Sequence, residues 1–209
     1  MIKTIATTLL GISLAIQVSA QTLSPDDIKR MLDEQAAAPN PYAALLNDPD
    51  PARSMGAMKI MMESGDPKLE EMAMEFGLLS SDAAVQRFVV ERILDQTPNL
   101  FVSMDGTALD ENKRAYLGHL AVTGMGGTIE TNGMAYGRWT IGEYSQQEEC
   151  WKWDRTCAFV SRPEGFFVTG RKANVSFDGR LEVTADGRLA GILRTDEGFV
   201  VPASITLLD

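Results

Sequence analysis

Residues 50–97 read DPARSMGAMKIMMESG (50–65), DPKLEEMAMEFGLLSS (66–81) and DAAVQRFVVERILDQT (82–97), three blocks of 16 that align without gaps. Each opens on an aspartate (Asp50, Asp66, Asp82), and the first two follow it with proline. A short acceptor side chain caps the orphan N–H groups of a helix start, and proline suits the first helical position because it has no N–H to satisfy. The ninth places hold Met58, Met74 and Val90, the thirteenth Met62, Leu78 and Leu94, and the eighth Ala57, Ala73 and Val89. One apolar side chain at each matched place predicts three short helices that bury the same stripe. Gly65 and Gly77 read as helix exits.

Upstream, Ser24-Pro25-Asp26-Asp27 is a further helix start, followed by the stripe Ile28, Met31 and Leu32. Ala36 to Pro41 interrupts that helix, and Asn40-Pro41 restarts one for the segment YAALL. Short helices joined by tight turns stack as antiparallel neighbours. Over residues 50–97 the layout resembles HEAT-like helical repeats, and the resemblance implies a surface for protein contacts. An ordinary helical bundle with the same spacing is the alternative.

At Pro98 the pattern changes. Turn signals recur at short spacing, and Asp178-Gly179, Asp186-Gly187 and Asp196-Glu197-Gly198 separate RLEVT, RLAGILR and FVVPASITLL. Such spacing predicts a meander of antiparallel strands with Asp-Gly turns, one face covered by Leu181, Val183, Leu189, Ile192 and Leu193. GRWTIGEYS, CAFVSR and GFFVTGRKANVSF also read as strands, whereas residues 110–123 fit either a helix or a strand pair. The fold class expected is α+β: a helical module over 21–98, then an antiparallel β-sandwich or open barrel over 99–209.

Residues 1–20 carry a positive start at Lys3, an apolar run from Ile5 to Val18 and the small-residue site Val18-Ser19-Ala20. That is the anatomy of a cleaved secretory signal, and the run is shorter than the ~20 residues needed to span a bilayer. Cleavage after Ala20 removes one positive charge and no acid, taking the net charge from -10 to -11. Such acidity opposes nucleic acid and anionic lipid as partners. Cys150 and Cys157 are the two cysteines, and an even pair in an exported chain reads as a disulfide. Closing so short a loop stabilises by roughly 2.5 kcal/mol in the chain-entropy picture. The expected address is periplasmic or secreted, with no membrane span after cleavage.

No motif announces a reaction. Gly-x-Ser-x-Gly and His-Glu-x-x-His are absent, and the single histidine, His119, reads as structural. No cofactor or metal is expected. Met55, Met58 and Met61 have the spacing of a soft-metal ligand set, but also that of a packed helix stripe, which is the reading preferred. Asp105-Gly106 with Asp110 and Glu111 lacks the order of a calcium loop and reads as a hairpin turn. Glu148, Glu149 and Asp154 read as a solvated acidic loop. Asn174-Val175-Ser176 matches a glycosylation sequon, which matters only in a host that modifies exported chains.

The tryptophans are the most suggestive feature. Trp139, Trp151 and Trp153 are the three in the chain, and two lie between the cysteines. On a strand Trp151 and Trp153 point to one side, and with Lys152 and Arg155 they form the candidate binding set: aromatic anchors rimmed by charge. The alternative is that both rings close one end of the β-core. The first functional reading is therefore a non-enzymatic interaction protein of the periplasm or cell envelope, partnered by an envelope protein. A glycan- or small-ligand-binding β-domain is second, and a hydrolase using carboxylates such as Glu149 and Asp154 third.

Overall fold

The computed structural model describes residues 24–37 and 40–208, so the signal segment expected over residues 1–20 lies outside the described residues. The chain divides into two compact units, Met1–Asn40 and Pro41–Asp209. In the first, helix α1 spans Pro25–Ala37 and starts as its sequence dictates. Ser24 Oγ accepts from Asp27 N at 3.1 Å and donates to Asp27 Oδ2 at 2.7 Å. The Ser24 hydroxyl, with the Ser24 backbone N–H, donates to the Asp27 carboxylate and holds it below its ordinary range.

The second unit opens with α2 (Pro41–Leu46), α3 (Pro51–Met62), α4 (Pro67–Leu78) and α5 (Ala83–Asp95). Asp50, Asp66 and Asp82 cap the last three. Each carboxylate accepts from the backbone N–H two residues on, at 2.9, 2.9 and 2.8 Å. A second layer repeats beneath the first: the N–H of each capping aspartate donates to a side-chain oxygen two residues back, on Asp48, Ser64 and Ser80. Each cap contributes on the order of 1 kcal/mol. The ninth and thirteenth places of the three blocks are all buried.

Gly65, at φ 73, leaves its helix as expected. Gly77 does not, because it sits inside α4 at the crossing with α3 and α5. A Cβ there would stand 2.3 Å from Val89 Cγ2 and 2.9 Å from Met58 Sδ. The residue is a contact point between helices rather than an exit.

After α5 the unit is built on one antiparallel sheet of ten strands, ordered β2-β3-β1-β10-β9-β8-β7-β6-β5-β4. Along β1 (Asn99–Asp105) and β10 (Val200–Thr206) every second residue is buried, as a half-buried sheet requires. The remaining strands are β2 (Thr128–Ile129), β3 (Met134–Thr140), β4 (Tyr144–Ser145), β5 (Cys150–Trp153), β6 (Thr156–Arg162), β7 (Gly165–Lys172), β8 (Val175–Val183) and β9 (Leu189–Thr195). Two Asp-Gly turns are where the sequence places them, with Gly187 and Gly198 at positive φ. The third is not a turn. Asp178 and Gly179 lie within β8, paired to Thr169 and Val168 on β7 and to Arg194 and Leu193 on β9. At Gly179 a Cβ would come within 2.4 Å of the Ile192 carbonyl oxygen, so the glycine serves close strand approach. The hairpin turn is made instead by Ala173 and Asn174, both at positive φ. Ile192 is likewise corrected: Leu181, Leu189 and Leu193 are buried, whereas Ile192 is exposed on the outer face.

The sheet curls. Trp139 on β3, one strand from one edge, packs its ring 5.2 Å from that of Trp153 on β5, one strand from the other edge. It also meets Phe159 and Phe177, at 4.7 and 5.5 Å. Beyond β3 the chain bonds to β5 through Gly142 N to Lys152 O at 2.7 Å and Lys152 N to Glu143 O at 3.2 Å. The buried residues of α3, α4 and α5 and those of the sheet form one core.

Asp105-Gly106 is not a hairpin turn. It leads from β1 into helix α6 (Glu111–His119), capped by Asp110 and continued by a π-helical turn over Leu120–Gly124, which resolves the open reading of 110–123. The strands beside β1 are β3 and β10. Tyr116 on α6 donates to Asp196 in the β9–β10 turn and meets the Phe199 ring edge-on.

Gly77→Ala should destabilise by about 1–3 kcal/mol through overpacking, whereas Gly56→Ala, mid-α3 with nothing within 4 Å of its Cβ position, should stabilise by about 0.5–1 kcal/mol; thermal melts of both variants check the sign. Burial, then the Asp196 contact, raises the Tyr116 phenol from 10.0 to about 12. The same bond is the main influence that lowers the Asp196 carboxyl. A raised phenol contributes stability below its unfolded value that is lost as pH climbs through about 12. A lowered carboxyl contributes above its unfolded value and is lost as pH falls through its folded one. An alkaline absorbance titration should show a phenol ionising at about 12, and Tyr116→Phe should lose that step.

Candidate functional site

The residues that draw attention lie where α5 meets β4, β5 and β6. Glu91 and Asp95 are four apart on α5 and so share one face of it. The Trp151 indole Nε1–H donates to Asp95 Oδ1 at 2.9 Å, and Ser161 Oγ donates to Glu91 Oε1 at 2.6 Å. Arg87 approaches Glu91 at 3.9 Å. A buried indole N–H left without an acceptor costs about 1–3 kcal/mol, so the bond to Asp95 sets where α5 lies against β5.

The edge strand β4 closes the other side. Tyr144 pairs with Trp151, and their rings stand 4.7 Å apart at 60°. Trp151 is only 4% exposed, whereas Tyr144 is 42% exposed and supplies the accessible ring. Glu149 ends the β4–β5 turn at φ 52, directly before Cys150. Cys150 is bonded to Cys157 with Cα atoms 5.6 Å apart, and Lys152 pairs with Glu148. The expected disulfide thus joins β5 to β6. A bulge lies beside it, since Trp151 faces Phe159 and Lys152 faces Cys157, leaving Ala158 unpaired.

These groups bound a cleft of about 430 Å³, lined by Glu91, Asp95, Tyr144, Glu149, Trp151, Val160, Ser161 and Arg162. The Arg162 guanidinium lies over the Phe167 ring at 5.8 Å. Three carboxylates therefore converge beside an accessible tyrosine ring. An aromatic wall and a few convergent polar groups are the features a site for a small polar molecule requires.

Of the candidate binding set, Trp151 lines this cleft and the others lie elsewhere. Trp153 is 7% exposed, packed against Trp139 and Phe177, with Lys172 Nζ 5.0 Å over its ring. Lys152 is half-buried, and Arg155 is exposed in the β5–β6 turn. Asp154 is in that same turn, paired with Lys172, while Glu149 lines the cleft. His119 is exposed at the end of α6, its Nδ1 3.2 Å from Thr123 Oγ1. Met58, Met61 and Met62 are buried between helices. The Asp105 carboxylate accepts from Thr107 N and Oγ1, which lowers its pKa. Glu148 stands close to both cysteine sulfurs, but a bonded pair offers no thiolate to a metal. Asn174 is exposed.

Glu91, Asp95, Tyr144, Ser161 and Arg162 escape sequence reasoning. The one local signal is the i, i+4 spacing of the two acids on α5, which is common on any solvated helix. A second concavity, of about 410 Å³, runs along α2 and α3, with Tyr42, Leu45, Ile60, Met61 and Leu69 on its walls. Comparison of the chain with protein-family models, with curated proteins and with solved structures finds no match.

Asp95→Ala should destabilise the protein by about 1–3 kcal/mol, with an altered tryptophan emission, because the buried indole loses its acceptor. Asp95→Asn keeps an oxygen in place and should stay close to wild type in a thermal melt.

Proposed function

We propose that the protein is an exported, non-enzymatic binding protein that takes a small polar ligand, such as a sugar unit, in the cleft between α5 and β4–β6. The observation that carries this reading is the fixed aromatic wall: Trp151 is tied to Asp95, with the Tyr144 ring leaning on it and left accessible. The volume falls within the range typical of small-molecule sites, roughly 300–1,000 Å³. In the same reading the curled sheet is an open barrel rather than a sandwich, and α5 covers the seam near its β4 edge. A disulfide fits an oxidising compartment, periplasmic or extracellular, and among the described residues no helix is long and apolar enough to cross a membrane.

The second reading is an adaptor for an envelope protein, and the α2–α3 groove favours it. Ile60 is 71% exposed there, beside Tyr42 and Leu45. Exposed apolar side chains gathered into one patch, rather than scattered singly, are what marks an interaction surface.

A thermal-shift panel of neutral, amino and acidic sugars, short amines and short carboxylates separates the two. Ligand binding at the cleft should raise the melting temperature of the wild type for at least one small compound, and Tyr144→Ala should abolish that rise. If no compound protects the wild type, or if protection survives in Tyr144→Ala, the cleft reading falls. An envelope pull-down that loses a partner in Ile60→Glu then supports the adaptor reading.

A further inference from the structure

We infer that the cleft selects a small organic cation, a protonated aliphatic amine, over the neutral and anionic molecules of the same shape. The inference rests on the binding reading above and goes beyond it by naming the ligand's charge. The aromatic wall comes first. The accessible Tyr144 ring is set at a fixed angle by Trp151, and a π face attracts a cation held within about 6 Å of it.

The polar lining adds acceptors and negative charge. Glu91 accepts one bond from Ser161 and Asp95 one from Trp151, each at a single carboxylate oxygen, and Glu149 stands exposed at the mouth. An ammonium brings three N–H donors and no acceptor, which suits a lining dominated by carboxylates.

The neighbouring cations offset this charge only in part. Arg162 lines the cleft with its guanidinium over the Phe167 ring, Lys152 is paired with Glu148, and among the described residues Arg87 forms an ion pair with Glu91 alone, at the long distance of 3.9 Å. A carboxylate ligand would meet three like charges with one arginine to offset them. A neutral polyol could use the same oxygens only through weaker, uncharged bonds.

Isothermal titration of the disulfide-intact chain with matched probes tests this. Putrescine is compared with 1,4-butanediol and succinate, and glucosamine with glucose and glucuronate. Each amine should bind at least about tenfold tighter than its neutral counterpart at low ionic strength, and the ratio should shrink as salt is added. Glu149→Gln and Asp95→Asn keep the shape and an acceptor oxygen, so both should melt like wild type while the ratio moves toward one.

If the neutral or anionic probes bind as tightly as the amines, the charge inference is overturned and the binding reading stands. The charge inference is equally overturned if none of the six binds while an uncharged or anionic compound protects the protein through Tyr144. If the six fail and no compound protects it, both fall together.

Discussion

The Trp139 indole is the point on which the unit Pro41–Asp209 turns. It belongs to the second strand of the sheet, yet touches rings carried by strands toward the far edge, so the sheet cannot flatten without pulling that cluster apart. Its N–H has no hydrogen-bond partner among the described residues, at a cost of about 1–3 kcal/mol. Four large rings buried together outweigh that cost, since each removes roughly 150–250 Å² from water, at about 25 cal/mol per Å². A glycine makes room for the cluster. At Gly170 a Cβ would stand 2.5 Å from the Phe177 ring and 2.9 Å from that of Trp153.

The helices depend on the same core. Three aspartate caps fix where α3, α4 and α5 begin, each braced by an oxygen two residues earlier, and the repeat in sequence becomes a repeat in burial. Gly77 lets the three helices cross closely, and their shared apolar face joins the sheet in one core. Tyr116 and Asp196 fasten α6 to the β9–β10 turn.

The cleft is a consequence of this packing. Fastening α5 to β5 through Asp95 and Trp151 brings the acids of that helix beside the β4 edge, and the disulfide holds the turn that carries Glu149. The groups that line the cleft therefore come from a helix, an edge strand, a turn, β5 and β6. Of the candidate binding set Trp151, Lys152, Trp153 and Arg155, the two tryptophans are buried, which is the alternative the sequence also left open, because a curled sheet has an interior that large rings fill best.

Local chemistry was legible in the sequence. The caps at Asp50, Asp66 and Asp82, the burial of Met58, Met74 and Val90, the strand-rich second half and the Cys150–Cys157 bond all depend on residues near one another in the chain, so spacing and residue type sufficed. What depended on contact across the chain was not legible. Gly77 and Gly179 carry the same letter as turn glycines, and only the side chain or carbonyl brought against each shows that close approach is its role. Glu91 and Asp95 looked like any solvated acids, and no pattern placed Tyr144 beside Trp151 or α5 over β5. Tertiary structure decided the curl of the sheet and the location of the cleft, because both arise from contacts between separate segments, Trp139 with Phe177 for the curl and Asp95 with Trp151 for the cleft, where a sequence period carries no register.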